Sequence, residues 1–140
     1  MSAHLVVALG CAFHTRQWQE QSLLQTEGAG ELKRASIVNE LTGPLSGEGR
    51  LEYQLLYPTS PDGEVIFTGF ERVTGVWDGL SGSFVLRHDG VYSPTAGARA
   101  TLQVLPGSGS GGFAGLSGEG RLAARAGERC GEYTLMLKRG

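Results

Sequence analysis

The sequence predicts an all-β domain, an eight-stranded antiparallel β-barrel, and three observations predict it. Glycine supplies 23 of 140 residues, against an average usage of about 7%. These glycines are spread along the whole chain, and each would cost about 1 kcal/mol relative to Ala inside a helix. The second observation is a repeat. Leu45-Ser46-Gly47-Glu48-Gly49-Arg50-Leu51 recurs letter for letter as Leu116-Ser117-Gly118-Glu119-Gly120-Arg121-Leu122, with a looser copy at Leu80-Ser81-Gly82-Ser83-Phe84-Val85-Leu86. The copies fall about 35 residues apart, a spacing typical of repeated supersecondary units. Each follows a Gly-containing turn and opens an alternating run, so the unit reads as strand, tight corner, strand. Third, about eight such runs are separated by Gly, Pro, Asp and Ser. Collagen is excluded by the 5 prolines and the missing three-residue period, and disorder by 40% hydrophobic against 19% charged residues. A single domain, residues 1–140, of this length buries roughly 68–70% of its unfolded surface, enough for a core without staples.

The first predicted strand covers residues 5–18, with Leu5, Val7, Leu9, Cys11 and Phe13 on one face. Residues 5–11 also look like a lipoprotein signal ending at a modifiable Cys, but the stretch is short and lacks a basic leader, so a strand is the reading taken. The Gln-rich segment 18–24 reads as a short helix or a loop across one mouth. Strand two, 32–42, places Ala35, Ile37 and Leu41 on a face with Asn39, and strand three, 47–57, sets Leu51, Tyr53, Leu55 and Tyr57 opposite Arg50, Glu52 and Gln54. Strands four (64–77) and five (80–92) are joined by Asp78-Gly79, a strong two-residue hairpin signal that pairs Trp77 with Leu80. Strand six, 98–105, turns Ala98, Ala100, Leu102 and Val104 inward. The Gly- and Ser-rich segment 106–112 resembles a phosphate-cradling loop but lacks the Lys-Ser/Thr ending and a following helix, so it reads as a flexible loop or rim. Strands seven (116–125) and eight (131–138) contribute Gly118, Gly120 and Leu122, then Tyr133, Leu135 and Leu137. Long strands joined by short turns would leave unpaired edges in an open sheet. Closure removes them and gives an interior that holds side chains or one small ligand. Charge falls on the outward faces, and inward Gly118 and Gly120 are expected to thin one interior wall.

A net charge of -2 and scattered Arg give no field for phosphates, so nucleic acid is not an expected partner. No apolar run reaches the 18 residues needed to span a bilayer, so no membrane association is expected either. Cys11 and Cys130 form no disulfide framework and read as reduced thiols of a cytoplasmic protein, although a barrel brings the first and last strands together. His4, His14 and His88 show no metal-ligand spacing with any Cys or carboxylate cluster, so no structural or catalytic zinc site is expected.

The hairpin register places Glu71 opposite Leu86 and His88 opposite Gly69, which makes Glu71 and His88 diagonal neighbours on one inward face. They are its only ionisable residues. A carboxylate is costly to ionise in an apolar interior, a setting suited to general acid or base work, and the imidazole can relay the proton. Glu71 and His88 are therefore the candidate catalytic pair, with mutual satisfaction in a plain core as the competing interpretation and a β-bulge between Gly69 and Gly75 as the feature that would undo it. Asn39 is a candidate to orient a substrate oxygen. Trp18, Tyr53, Tyr57, Phe67, Phe84 and Tyr133 are candidate pocket residues, although aromatic side chains in a barrel also serve as core. Glu52 faces outward, which argues against a two-carboxylate glycosidase.

Four blocks carry a family resemblance: Lys33-Arg34-Ala35-Ser36; Phe67-Thr68-Gly69-Phe70-Glu71-Arg72-Val73-Thr74-Gly75; Gly82-Ser83-Phe84-Val85-Leu86-Arg87-His88; and Pro106-Gly107-Ser108-Gly109-Ser110-Gly111, continued by Gly115-Leu116-Ser117-Gly118-Glu119-Gly120. The chain resembles a bacterial family of uncharacterised small proteins placed among the allene-oxide-cyclase-like barrels, from about Phe13 to Tyr133. The resemblance implies an eight-stranded barrel, often oligomeric, here a dimer or trimer. Distant relatives of that fold include allene oxide cyclase, which closes a ring on an unsaturated fatty-acid epoxide, and ring-forming polyketide cyclases. They fold an apolar substrate inside the barrel without a cofactor. Glu71 and His88 lie in the family motif, whereas Cys11 and Asn39 stand where Gly and Lys are expected, which implies a remodelled pocket. The leading expectation is a cofactor-independent isomerase or cyclase acting on a hydrophobic, polyketide- or fatty-acid-like intermediate. The rival is a lipocalin-like barrel that carries a small apolar ligand, and the third is a filled barrel used only for assembly.

Overall fold

Alternating side chains and frequent tight turns leave the chain one way to satisfy its backbone, which is a ladder that closes on itself. The computed structural model describes residues 5–23 and 25–140. It contains nine strands: β1 (Val6–Ser22), β2 (Glu31–Thr42), β3 (Leu45–Tyr57), β4 (Val65–Trp77), β5 (Leu80–Ser93), β6 (Gly97–Val104), β7 (Ser110–Gly111), β8 (Ser117–Ala124) and β9 (Cys130–Lys138). The order β4-β3-β2-β1-β9-β8-β6-β5 returns to β4 through the β4–β5 pairing, and every neighbour is antiparallel. Eight strands therefore form a closed barrel, as the sequence predicts, with the two-residue β7 attached to β5 outside the ring. No helix long and apolar enough to cross a membrane is present among the described residues.

The β4–β5 hairpin turns through Asp78 and Gly79 at φ 51° and 75°, the paired positive values of a type I′ turn. Its register runs without interruption and pairs Glu71 with Leu86 and Gly69 with His88. The bulge lies elsewhere, between Thr15 and Gln17 of β1. The extra residue, Arg16, switches the parity of the strand, so Trp18 stands opposite the buried Ile37 and Glu20 opposite the buried Ala35. This corrects the helix-or-loop expectation for residues 18–24: the strand continues to Ser22. Leu24 and His4 lie outside the described residues.

The two ends of the barrel differ. The Leu-Ser-Gly corners all sit at one end, where Gly47 and Gly118 adopt φ 155° and 153° and a Cβ would overlap the carbonyls of Thr74 and Met136 on the adjacent strands. The repeat is thus explained by close strand crossing. Segment 106–112, expected to be a flexible rim, instead leads into a plug that closes this end. It contributes β7, and the next residue but one, Phe113, is buried edge-on against Phe84 with ring centroids 5.4 Å apart. Leu45, Trp77, Leu116 and Leu137 complete the apolar seal.

Inward glycines do not leave the empty wall that their sequence positions suggest. A Cβ on Gly120 would meet Leu135 at 2.7 Å, one on Gly90 the Phe67 ring at 2.6 Å, and one on Gly131 the Phe13 ring at 2.6 Å. Large neighbours lean into each vacancy, so glycine shapes the interior by letting side chains cross it. Cys11 faces inward opposite Tyr133, whereas Cys130 is exposed opposite His14, so the two thiols are free although β1 and β9 are adjacent. The outer surface is not uniformly charged, because Leu32, Leu56, Ile66 and Val91 form a row across β2 to β5 and the first three are exposed.

Gly47→Ala is expected to lower the unfolding free energy by about 2–4 kcal/mol through backbone strain and overlap. Gly10→Ala, whose Cβ would meet nothing closer than 3.9 Å, should change it by less than about 0.5 kcal/mol. Urea denaturation of the two variants checks the difference.

Candidate functional site

At the end opposite the plug, a cavity of about 360 Å³ opens to solvent. Its wall is largely apolar and aromatic, with Trp18, Tyr53, Tyr57, Phe67 and Tyr92 contributing rings. Trp18 reaches it only because the β1 bulge turns even-numbered residues inward. The β8–β9 turn borders the mouth through Arg125, Glu128 and Arg129. Thr15 and Asn39 are buried polar side chains on the wall, and the Thr15 hydroxyl donates to Asn39 Oδ1 at 2.6 Å.

Behind this cavity, Glu71 and His88 are completely buried, at 0% exposure each. His88 Nε2 lies 2.8 Å from Glu71 Oε1, and the Tyr133 hydroxyl donates to the same oxygen at 2.9 Å. The Tyr53 hydroxyl lies 2.6 Å from His88 Nδ1. Burial, and then the charge of Glu71, push the Tyr53 and Tyr133 phenols well above their ordinary values, with the nearby Asn39 amide opposing the rise at Tyr133. Both therefore keep their protons, and Tyr133 gives its own to Glu71. The Glu71 carboxylate can only accept, which puts a proton on His88 Nε2, and in the neutral ring Nδ1 then accepts from Tyr53. The chain runs Tyr53 to His88 to Glu71, with Tyr133 closing on the carboxylate from the opposite side of the barrel.

Two glycines make that geometry available. Gly69 lies between Tyr53 and His88 in one cross-strand row, and a Cβ there would meet Tyr53 Cδ1 at 2.9 Å. A side chain at 69 would stand between phenol and imidazole. Gly49 receives the other oxygen of Glu71, because a Cβ at that position would overlap Oε2. Among the described residues that oxygen has no hydrogen-bond donor, and an unpartnered buried polar atom costs about 1–3 kcal/mol. Cys11 senses the same centre: burial, followed by the Glu71 charge, pushes its thiol up to about 11, which leaves it protonated and inert at neutral pH.

The predicted residues thus separate into groups. Glu71 and His88 are brought together as the register requires, but neither borders the cavity. Tyr53 connects them to its wall. Asn39, Trp18, Tyr57 and Phe67 border the cavity, Tyr133 belongs to the buried network, and Phe84 sits at the plugged end. Thr15 and Tyr92 were missed as wall residues. Thr15 continues the inward parity of Phe13, a signal available in the sequence, whereas Tyr92 follows from extending the β5 alternation past His88. Glu20 was also missed, because the bulge that turns it inward has no sequence signature. At the mouth it accepts from Trp18 Nε1 at 3.0 Å and Tyr57 Oη at 2.9 Å, and Lys33 Nζ lies 3.3 Å away. Burial raises its carboxyl, but these hydrogen bonds and the Lys33 charge outweigh it and the net shift is downward. Among the described residues no group of three or more His, Cys, Asp or Glu side chains could hold a metal ion.

The raised phenols have a consequence for stability. As pH rises past about 10, the unfolded chain releases tyrosine protons that Tyr53 and Tyr133 retain in the fold. Stability conferred by these groups is complete below that value and falls as pH climbs toward their folded values. Urea denaturation between pH 9 and about 11.5 should show this decline, and Tyr53→Phe combined with Tyr133→Phe should make it shallower, leaving the part due to Cys11 and Tyr57, whose groups are also raised.

A crystal structure of a protein of unknown function from Shewanella oneidensis MR-1 superimposes on the chain with a TM-score of 0.81 at 22% identity, covering 96% of this chain and 98% of that one. It shares the fold. The comparison with curated proteins finds no match. The family described as "Protein of unknown function (DUF3224)", to which the Shewanella protein is also assigned, matches residues 9–137. Since that match takes in nearly the whole barrel, the chain belongs to the DUF3224 family.

Proposed function

We propose that the barrel takes up a small, largely apolar molecule and isomerises or cyclises it without a cofactor, in the manner of the allene-oxide-cyclase-like barrels the sequence resembles. The observation that carries this reading is the contact between an open apolar cavity and a directed acid–base chain, made through Tyr53. An apolar wall holds a flexible substrate in one conformer, which accounts for much of the rate in unimolecular reactions. Glu71 takes up the proton and returns it, with Tyr53 and His88 as the path from and to the cavity. A polyketide- or fatty-acid-like intermediate has the necessary apolar body. The second reading is a carrier, favoured by the fact that neither Glu71 nor His88 touches the cavity wall.

N-Phenyl-1-naphthylamine, a neutral fluorescent probe, should bind saturably at one site per chain, and Ala98→Leu on the cavity wall should weaken it about tenfold, or 1.4 kcal/mol. Absence of saturable binding defeats both readings. Proton NMR of apolar unsaturated ketones and epoxides incubated with the protein should reveal an isomer of unchanged mass. Glu71→Gln should retain probe binding and lose turnover about 100-fold or more. A wild type that binds the probe and converts none of these compounds is a carrier.

A further inference from the structure

We infer that the ligand carries a neutral carbonyl group on its apolar skeleton, and that this oxygen is received by the Asn39 amide deep in the cavity. This rests on the uptake reading above and names the chemical class of the occupant. Three buried polar side chains border the cavity: Thr15, Asn39 and Tyr53. Thr15 and Tyr53 both engage their hydroxyls inside the protein, Thr15 donating to Asn39 Oδ1 and Tyr53 bonded to His88 Nδ1.

Asn39 is different. The Thr15 hydroxyl satisfies its carbonyl and fixes which way the amide faces, so Nδ2 is turned away from Thr15 with two N–H donors to place. At most one is directed at Tyr133, whose oxygen lies nearby. The other has no protein acceptor among the described residues, and Asn39 borders the cavity. A side chain that is 3% exposed, held in position on the cavity wall with a donor unused, calls for an acceptor from the occupant.

Charge selects which acceptor. Glu71 lies behind the same floor, and its charge disfavours the anionic forms of Cys11, Tyr53 and Tyr133 on three different strands. A ligand carboxylate at Asn39 would meet the same field in a poorly solvated site. A ketone or enone oxygen accepts the Asn39 proton without that cost.

Three naphthalenes of nearly equal size separate the alternatives: 1-acetonaphthone, 1-ethylnaphthalene and 1-naphthoate, each competed against N-phenyl-1-naphthylamine. After correction for water–alkane partition, the ketone should bind the wild type about tenfold more tightly than the hydrocarbon and at least tenfold more tightly than the carboxylate. Asn39→Leu should remove the preference for the ketone while the hydrocarbon still binds. Infrared difference spectra of the wild type with carbonyl-13C ketone should show a carbonyl stretch shifted to lower frequency, an outcome that needs no variant. Equal binding of ketone and hydrocarbon, tightest binding by naphthoate, or an unshifted carbonyl stretch overturns the inference while leaving uptake intact. If none of the three displaces the probe, both the inference and the uptake reading fall.

Discussion

A carboxylate and an imidazole with no exposed surface, 2.8 Å apart in the middle of the barrel, set the constraint that the rest of the interior obeys. An ionisable pair taken out of water needs partners for its remaining donors and acceptors, a need met here except at Glu71 Oε2, and removing one partner of such a pair costs about 3–5 kcal/mol. The partners come from three consecutive strands and a distant fourth: Tyr53 on β3, Glu71 on β4 and His88 on β5, with Tyr133 on β9. Tyr133 reaches Glu71 across the barrel, so the network is a transverse tie as well as a polar site. It divides the interior into an apolar half sealed by the 106–116 plug and an open half that holds the cavity.

Glycine content, which first signals the fold class, acquires a more specific role in this arrangement. The corner glycines allow close crossing at the plugged end, where a Cβ would strike the next strand's carbonyl. Gly69 and Gly49 act at the network, the first by clearing the path from Tyr53 to His88 and the second by receiving the unpartnered oxygen of Glu71. Side chains fill those vacancies, and the cavity owes its volume instead to the open mouth and to small residues such as Ala98 and Ala124 along it.

Much of the fold was legible because its information is local. Alternation and turn chemistry delimit eight strands, and Asp78-Gly79 sets a register that brings Glu71 beside His88. Contacts across the barrel leave no such trace: nothing in the neighbourhood of Tyr133 announces that its hydroxyl ends on Glu71, 62 positions away. The Arg16 bulge was equally silent, and with it the inward turn of Trp18 and Glu20. Composition misled at 106–112, where Gly and Ser suggest mobility but Phe113 anchors the segment in the closed end. The candidate pair was therefore readable, whereas its separation from the cavity by Tyr53 required the three-dimensional packing.

Protonation of the His88 ring tests the directed network most directly. In protein labelled with nitrogen-15 histidine at neutral pH, the account predicts that Nε2 carries the proton, shielded from solvent exchange by its contact with Glu71, while Nδ1 is an unprotonated acceptor for Tyr53. A proton resident on Nδ1, or an Nε2 proton that exchanges as fast as one on a surface histidine, would contradict it.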